Sequence, residues 1–542
     1  MSDPWWRDAV FYQVYPRSFA DSDDDGIGDL EGIRRRLDHL VDLGIDAVWL
    51  SPIYQSPQAD FGYDISDHCA IDPIFGTLAD FDRLVRDVHD RGLRLILDWV
   101  PNHVSDAHPW FIDARSGTDA AHRDWFVWRP ATGTPGNPPN NWTAAFSPGA
   151  SAWSLDTDSD QWFLHLFLPA QPDLDWENSA VESAMHDVLR FWLDRGVDGF
   201  RADAIHTIAK PAGLPSVPED LAEIPTCVLN DVPAIHERLR RIRGVLDEFG
   251  PDRMMIGEVY LLDSARVATY YGTPDAPELH LAFNVPVVHT PWDAGMFALR
   301  LDEIDAHFAP RDAWPVWALS SHDEARHRTR FDRADGADET RSERRIRAAA
   351  TLTLTQRGTP FLYQGEELGL ADVDVPAERR LDPGGRDGCR APIPWDETAG
   401  HGWPAGDVEP WLPLGPQAAT RNAERERRDP NSTLAFYRRL LALRRSTPAL
   451  HLGDIERLPA ARGLLAWRRT APALEGSGGD SAGDRIVVVN FTPEPLAMPD
   501  AADGWTADLA SDDGLSGSPI AGKPVPATVA GDQAIICRPT FV

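Results

Sequence analysis

The sequence predicts an α/β fold: a (β/α)8 TIM barrel with a loop-rich domain inserted after its third strand and an antiparallel β domain at its C-terminal end. Three observations carry this. Short apolar runs alternate with helical stretches through most of the chain, the order of βα units around a parallel sheet. Two Pro- and Gly-rich segments interrupt that order, as insertions in a barrel do. Beyond residue 452 helical periodicity gives way to alternating segments separated by Gly, Pro and Asp.

The eight candidate strands are Ala9–Tyr15, Ala47–Pro52, Leu93–Pro101, Gly199–Ala204, Met254–Val259, Leu281–Val287, Val316–Ser320 and Pro360–Tyr363. Helical periodicity fills Leu30–Leu43, Leu78–Arg91, Ala180–Arg195 and Pro233–Phe249 between them, and Leu434–Arg445 after them. The insertions run from about Val104 to Pro172 and from Ala371 to Gly415. The resulting division gives residues 1–103 and 173–451 to the barrel, 104–172 to the inserted domain and 452–542 to the C-terminal β domain. Glu475–Gly483 reads as a flexible loop within the last of these.

With 542 residues the chain is too long for one compact core. Its formal net charge of −33 repels nucleic acid and anionic membrane alike, so neither is an expected partner. The four cysteines, Cys69, Cys227, Cys389 and Cys537, lie far apart and form no CxxC pair, which suits a reducing compartment. MSDPWWRDAV at the start has no basic segment leading into an apolar run, and no stretch is apolar enough to span a bilayer. A cytoplasmic monomer or homodimer acting on small molecules is the expectation.

Barrel active sites lie at the C-terminal ends of the strands. There the chain offers Phe61-Gly-Tyr63-Asp64 after strand two and Asp98-Trp-Val-Pro-Asn-His103 at strand three. Gly199-Phe-Arg201-Ala-Asp203 ends strand four, Gly257-Glu258 strand five and His322-Asp323 strand seven. A single aspartate here can be a helix N-cap, and a single histidine a core hydrogen-bonding residue. Asp203, Glu258 and Asp323 with two histidines and an arginine at one rim are costly to gather and therefore point to function. Retaining glycoside hydrolysis needs such a pair of carboxylates, one to attack the anomeric carbon and one to protonate the leaving oxygen. Arg201, two residues before Asp203, shares its face of the strand and can hold it ionised. The acid role requires Glu258 to be protonated, so like-charged neighbours are expected to raise it.

These motifs make the chain resemble the α-amylase superfamily, glycoside hydrolase family 13, in its α-glucosidase and oligo-1,6-glucosidase branch. The likeness runs from Trp5-Trp-Arg-Asp-Ala-Val-Phe-Tyr-Gln-Val-Tyr-Pro16 to Arg390-Ala-Pro-Ile-Pro-Trp395 and into the C-terminal β domain. It implies Asp203 as nucleophile, Glu258 as general acid/base and Asp323 as the carboxylate gripping the reacting glucose. It further implies that Tyr63, Asp64, His103, Arg201 and His322 line the glucose subsite, with Arg390 and Asp64 closing the pocket so that single glucose units leave chain ends. Gln171-Pro-Asp-Leu-Asp175 resembles the branch's Gln-Pro-Asp-Leu-Asn signature.

Two positions depart from the pattern. Ser321 stands where the family has Asn before His-Asp, leaving both substrate-contacting residues in place. Ala204 follows the nucleophile where Val accompanies α-1,6 preference, which favours maltose-like α-1,4 substrates. One small side chain shifts specificity by about 1–3 kcal/mol.

Near the first strand, Asp21-Ser-Asp23-Asp-Asp25-Gly-Ile27-Gly-Asp29 sets carboxylates at alternate positions, with Gly26 permitting a sharp turn. Hard oxygen ligands so spaced, with the Ile27 carbonyl, suit Ca²⁺ or Mg²⁺. Gly32 stands where an EF-hand needs Glu, so this is another kind of loop. The resemblance implies a structural calcium there.

An exo-acting retaining α-glucosidase able to transfer glucose is thus the expected function. Oligo-1,6-glucosidase and trehalose- or sucrose-converting enzymes are the alternatives within the superfamily; the Arg-Leu-Asp-Arg-Phe loop of sucrose isomerases is absent. A non-catalytic binding subunit would lack the carboxylates that this chain retains.

Overall fold

The computed structural model describes residues 4–130, 137–146, 149–471, 483–515 and 519–540. The barrel strands are β1 (Phe11–Val14), β2 (Ala47–Leu50), β3 (Arg94–Trp99), β4 (Gly199–Ala202), β5 (Met254–Gly257), β6 (Leu281–Ala282), β7 (Val316–Ala318) and β8 (Thr359–Tyr363). They form one barrel-like parallel sheet in the order β6-β5-β4-β3-β2-β1-β8-β7, so the first strand lies beside the last: Phe11 pairs with Phe361. The expected α/β barrel is therefore the observed one.

Alternation along the strands divides the core. Inward-facing Phe11, Ala47, Ile96, Ile256, Leu281, Ala318 and Phe361 fill the barrel floor, where Phe11 stacks on Phe361 at 4.4 Å. Tyr12, Val48, Leu95, Leu97 and Phe200 face outward into the larger core beneath the helices. Two residues further along the same inward faces the chemistry changes from apolar to polar. Ile96 is followed by Asp98, Gly199 by Arg201 and then Asp203, and Ile256 by Glu258. The strand pattern itself thus places a polar layer on top of an apolar one.

Helix ends match their residues. Asp29 caps Leu30–Leu43 by accepting from the Gly32 amide, and Gly44 ends it in the left-handed region at φ 98°. Thr77 and Asp80 form a reciprocal capping box on Leu78–Asp90. The sixth strand is shorter than its apolar run suggests: it stops at Ala282, and Val285–Val288 form a helical turn carrying Pro286. Proline suits a first helical turn and cannot donate to a sheet ladder, which explains the early end.

The first insertion carries a three-stranded antiparallel sheet of Trp128–Pro130, Gln161–Leu164 and Trp153–Asp156. Its core of Trp142, Trp153, Trp162 and Leu164 also takes in Leu214 and Cys227 from the segment after β4. Beyond the barrel, β9 (Asp454–Leu458), β10 (Leu464–Thr470), β11 (Arg485–Asn490), β12 (Trp505–Ala510) and β13 (Ala534–Pro539) make an antiparallel sheet in the order β9-β10-β11-β13-β12. The Glu475–Gly483 loop expected there lies, except for Gly483, outside the described residues. No helix among the described residues is long and apolar enough to cross a membrane.

Candidate active site

The polar layer closes around one guanidinium. Asp98 and Arg201 are register partners on β3 and β4, and Arg201 Nη1 donates to Asp98 Oδ1 at 2.6 Å and to Asp203 Oδ1 at 2.5 Å. Its Nη2 lies 2.9 Å from Glu258 Oε2. That same oxygen accepts from the Ala204 amide at 2.8 Å. The amide is aimed there because Ala204 adopts the left-handed region, at φ 39°. A bulky side chain is strained in that region, and alanine is among the smallest that can occupy it. Gly257 is equally constrained: a Cβ there would meet Leu279 Cδ1 at 2.5 Å.

One guanidinium is shared among three carboxylates, too few positive charges to pair them all. Burial pushes Asp98 up to about 6 despite Arg201. Burial also raises Asp203; Arg201 pulls it down, and the nearby Glu258 and Asp98 push it back up. Asp98 is fixed by Trp49 Nε1 at 2.9 Å and Tyr63 OH at 3.3 Å, making it the buried anchor for Arg201.

Asp323 stands across from this cluster. Burial works against its ionisation, but the guanidiniums of Arg386 and Arg390 outweigh it and hold the carboxyl below its usual range. Burial drives His322 well down, so the ring is neutral near pH 7 and the guanidiniums carry the compensating charge. His322 Nε2 lies 2.6 Å from Tyr63 OH and 3.1 Å from Asp323 Oδ2, with the two rings stacked. Arg386 Nη1 donates to Asp323 Oδ1 at 2.8 Å.

These groups surround a cavity of about 260 Å³. Of the residues expected from sequence, Tyr63, His103, Asp203, Glu258 and Asp323 line it, while Arg201 and His322 border a smaller space beneath. Burial lowers His103 to about 4, so it too is neutral.

The expected closing pair is corrected. Asp64 does not line the cavity: its carboxylate accepts from Ser56 Oγ and from the Ala59 and Asp60 amides at 2.8–2.9 Å. Those bonds fold the loop that presents Asp60, the residue that does line it. Arg390 is fully buried, donating to the His322 carbonyl at 2.8 Å and lying 3.3 Å from Asp323 and from Asp382. Arg386 is the arginine at the cavity, donating to Asp60 Oδ1 at 2.6 Å. Gln171, from the Gln-Pro-Asp segment, holds the other Asp60 oxygen at 3.0 Å and lies 3.1 Å from His103 Nε2.

Sequence reading also passed over His206, Tyr260 and Glu324, which all line the cavity. His206 Nε2 lies 2.9 Å from the Cys227 carbonyl, and Nδ1 3.4 Å from that of Glu258. Its place three residues after Asp203 was the available signal.

At the acidic loop, carboxylate oxygens of Asp21, Asp23 and Asp29 converge within 4.8 Å of one another. Asp25 stands outside that group, its Oδ1 accepting from the Ile27 amide at 2.8 Å. Gly26 makes the turn at φ 90°. Three hard oxygen donors, with burial and the neighbouring Asp25, Asp29 and Asp21 all raising Asp23, form a donor set that fits a divalent cation.

A sequence profile described as "Alpha amylase, catalytic domain" matches residues 13–453. A probable alpha-glucosidase of Rhizobium meliloti (strain 1021) is 41% identical over 501 residues, covering 86% of this chain and 87% of its own. The oligo-1,6-glucosidase of Parageobacillus thermoglucosidasius is 37% identical over 499 residues, covering 84% and 86%. Among solved structures, the alpha-glucosyl transfer enzyme XgtA superposes with a TM-score of 0.86 at 36% identity, over 99% of this chain and 100% of that one. The trehalulose synthase MutB from Pseudomonas mesoacidophila MX-45 does so with a TM-score of 0.88 at 34% identity, over the same shares.

Proposed function

This chain belongs to the α-amylase family, glycoside hydrolase family 13, and from that premise we propose that it is a retaining, exo-acting α-glucosidase that prefers α-1,4-linked glucosides. The observation that carries the proposal is the shared guanidinium: Arg201 touches both Asp203 and Glu258. A retaining enzyme needs two carboxyl groups about 5–5.5 Å apart, and two groups hung on one arginine are close neighbours.

In this reading Asp203 attacks the anomeric carbon while Glu258 gives its proton to the departing oxygen. A glucosyl ester forms at Asp203 and the aglycone leaves as an alcohol. Glu258, now ionised, takes a proton from water as the water oxygen attacks the same carbon and the ester bond breaks. The Arg201 bond at 2.5 Å orients Asp203 for attack, and Glu258, on the other nitrogen of the same guanidinium, is placed to serve the leaving oxygen. Asp323, kept ionised by Arg386 and Arg390, is suited to grip glucose hydroxyls whose hydrogen bonds strengthen in the transition state.

The Asp60–Arg386 pair supports the exo reading, because it occupies the end of the cavity where the non-reducing glucose would sit. Ala204 supports the α-1,4 preference through its small side chain at the cavity wall. An alcohol in place of water gives transglucosylation by the same steps. Asp21, Asp23 and Asp29 would hold a structural Ca²⁺, or Mg²⁺ in its place; bound there, it would screen the loop's carboxylates from one another.

A rate comparison across maltose, isomaltose, sucrose, trehalose and maltotriose tests the proposal. Glucose release in the α-configuration, fastest from maltose or maltotriose, is the expected result. Isomerisation of sucrose without free glucose would overturn it in favour of the sucrose-converting reading, which the likeness to MutB keeps in view.

A further inference from the structure

The two ends of the cavity differ in chemistry. One end carries Asp60, Tyr63, His103, Asp323 and Arg386. Phe146 and Phe167 cover that end, since Arg386 lies over the Phe146 ring at 4.2 Å and Phe167 is 5.0 Å from the His103 ring. The other end adjoins Glu258, because His206 spans the Glu258 and Cys227 carbonyls. There the wall is Ala204, Pro225, Cys227 and Val228, with Tyr260 and Glu324 also lining the cavity.

At that second end the side chains of Ala204, Pro225 and Val228 offer no hydrogen bond and the Cys227 thiol only a weak one, and the polar groups beside them are partly engaged with one another. Tyr260 OH already donates to Glu324 Oε1 at 3.0 Å, and His289 Nε2 lies 2.9 Å from the same oxygen. Both nitrogens of His206 face backbone carbonyls. A second sugar carries hydroxyls around its rim, and each one buried without a partner loses its hydration with nothing in return. The apolar wall is also fixed beforehand. The Thr226 amide donates to the Thr143 carbonyl at 3.0 Å, and Thr143 returns bonds to Thr226 Oγ1 and the Ile224 carbonyl. The inserted domain thus holds the wall in place before any ligand arrives.

We propose that the leaving-group and acceptor end of this site takes alcohols with an apolar body and few hydroxyls, short alkyl or phenyl groups, in preference to a second sugar. The inference rests on the glucosidase reading above and names the aglycone class for it. In transfer, the alcohol oxygen bonds to the anomeric carbon, the ester bond to Asp203 breaks, and the alcohol proton passes to Glu258. The order of magnitude is set by burial of about one methylene at a time, roughly a three- to fourfold gain for each.

The test uses 4-nitrophenyl α-glucoside as donor with methanol, ethanol, 1-propanol and 1-butanol at one low concentration, reading the ratio of alkyl glucoside to glucose. The ratio should rise about three- to fourfold per added methylene, and kcat/KM for butyl α-glucoside should exceed that for maltose. A flat or falling series, with maltose still hydrolysed, overturns the aglycone inference alone. Absence of glucose from every α-glucoside overturns the glucosidase reading and this inference with it. Cys227→Ser and Val228→Ser, each made separately, should flatten the series; an unchanged slope in both overturns the assignment of the wall.

Discussion

Arg386 reaches Asp60 at 2.6 Å, joining two loops that lie 326 residues apart in the chain. The same guanidinium holds Asp323 and Asp382, so its charge is shared among three carboxylates. Removing it strips Asp60 of its ion pair and leaves Asp323 and Asp382 to Arg390, and each charged hydrogen bond so lost is worth about 1.5–3 kcal/mol. Arg386→Ala should therefore lower kcat/KM on maltose by about 100-fold or more. Arg386→Lys should restore little, because a point charge cannot replace a planar fork. Steady-state kinetics check both; near-normal kcat/KM in the alanine variant would remove Arg386 from the site.

Asp203 and Glu258 should fail differently. Asp203→Ala is expected to abolish turnover of every substrate while the far-ultraviolet circular dichroism stays unchanged. Glu258→Gln should cost about 10²–10⁴ in kcat on maltose, whose leaving group needs a proton. It should cost far less in the first step with 4-nitrophenyl α-glucoside, whose leaving group departs unprotonated. Equal losses on the two substrates would remove the acid role.

How legible was this in the sequence? The strand pattern gave the barrel, because inward faces that run Ile96-x-Asp98 and Ile256-x-Glu258 are a direct consequence of alternation. It also placed Arg201 beside Asp203. The closing pair was missed by one turn on each loop. Asp60 and Asp64 sit four apart, as do Arg386 and Arg390, and chain spacing cannot say which member of an irregular loop faces inward. That depends on the bonds Asp64 makes to the Ala59 and Asp60 amides, visible only once the loop is folded. The sixth strand was overextended because Val285-Pro-Val-Val is as apolar as a buried strand, and Pro286 was the overlooked sign.

Residue 204 offers a separate measurement. Ala204→Val should move the isomaltose-to-maltose ratio toward isomaltose, within about 1–3 kcal/mol or roughly 10- to 200-fold. The φ of 39° adds a stability cost, since a β-branched residue is strained there. A lowered melting temperature should accompany the altered ratio. An unchanged ratio would detach linkage preference from this position.

The acidic loop predicts a metal effect on stability rather than on chemistry. Chelation should lower the melting temperature, and excess Ca²⁺ should restore it, with kcat at moderate temperature unchanged. A ligand at 100 times its Kd stabilises by about 2.7 kcal/mol. Asp21→Asn combined with Asp23→Asn should abolish the response; a response that survives would place the metal elsewhere.

Glu426 gives a pH prediction remote from the cavity. Burial raises its carboxyl to about 8, with Arg421 opposing. A raised folded value means that the stabilisation is complete below the unfolded value of 4.5 and is lost as pH climbs through about 8. The wild type should therefore lose stability between pH 5 and 9, while Glu426→Gln, neutral throughout, should show a shallower decline. Thermal denaturation across that range reads the difference. A domain of a few hundred residues shifts about 2–4 °C per kcal/mol. Parallel curves for the two proteins would rule out Glu426 as the cause.

The pairing of Phe11 with Phe361 has a kinetic meaning for the newborn chain. Asp203 and Glu258 can be in position once β5 has formed, yet Arg386 follows β8, the strand that joins β1. A ribosome must deliver more than two thirds of the polypeptide before both halves of the clamp coexist. Turnover is then an all-or-none signal of ring closure, and its return after dilution from denaturant would time that event without any added label.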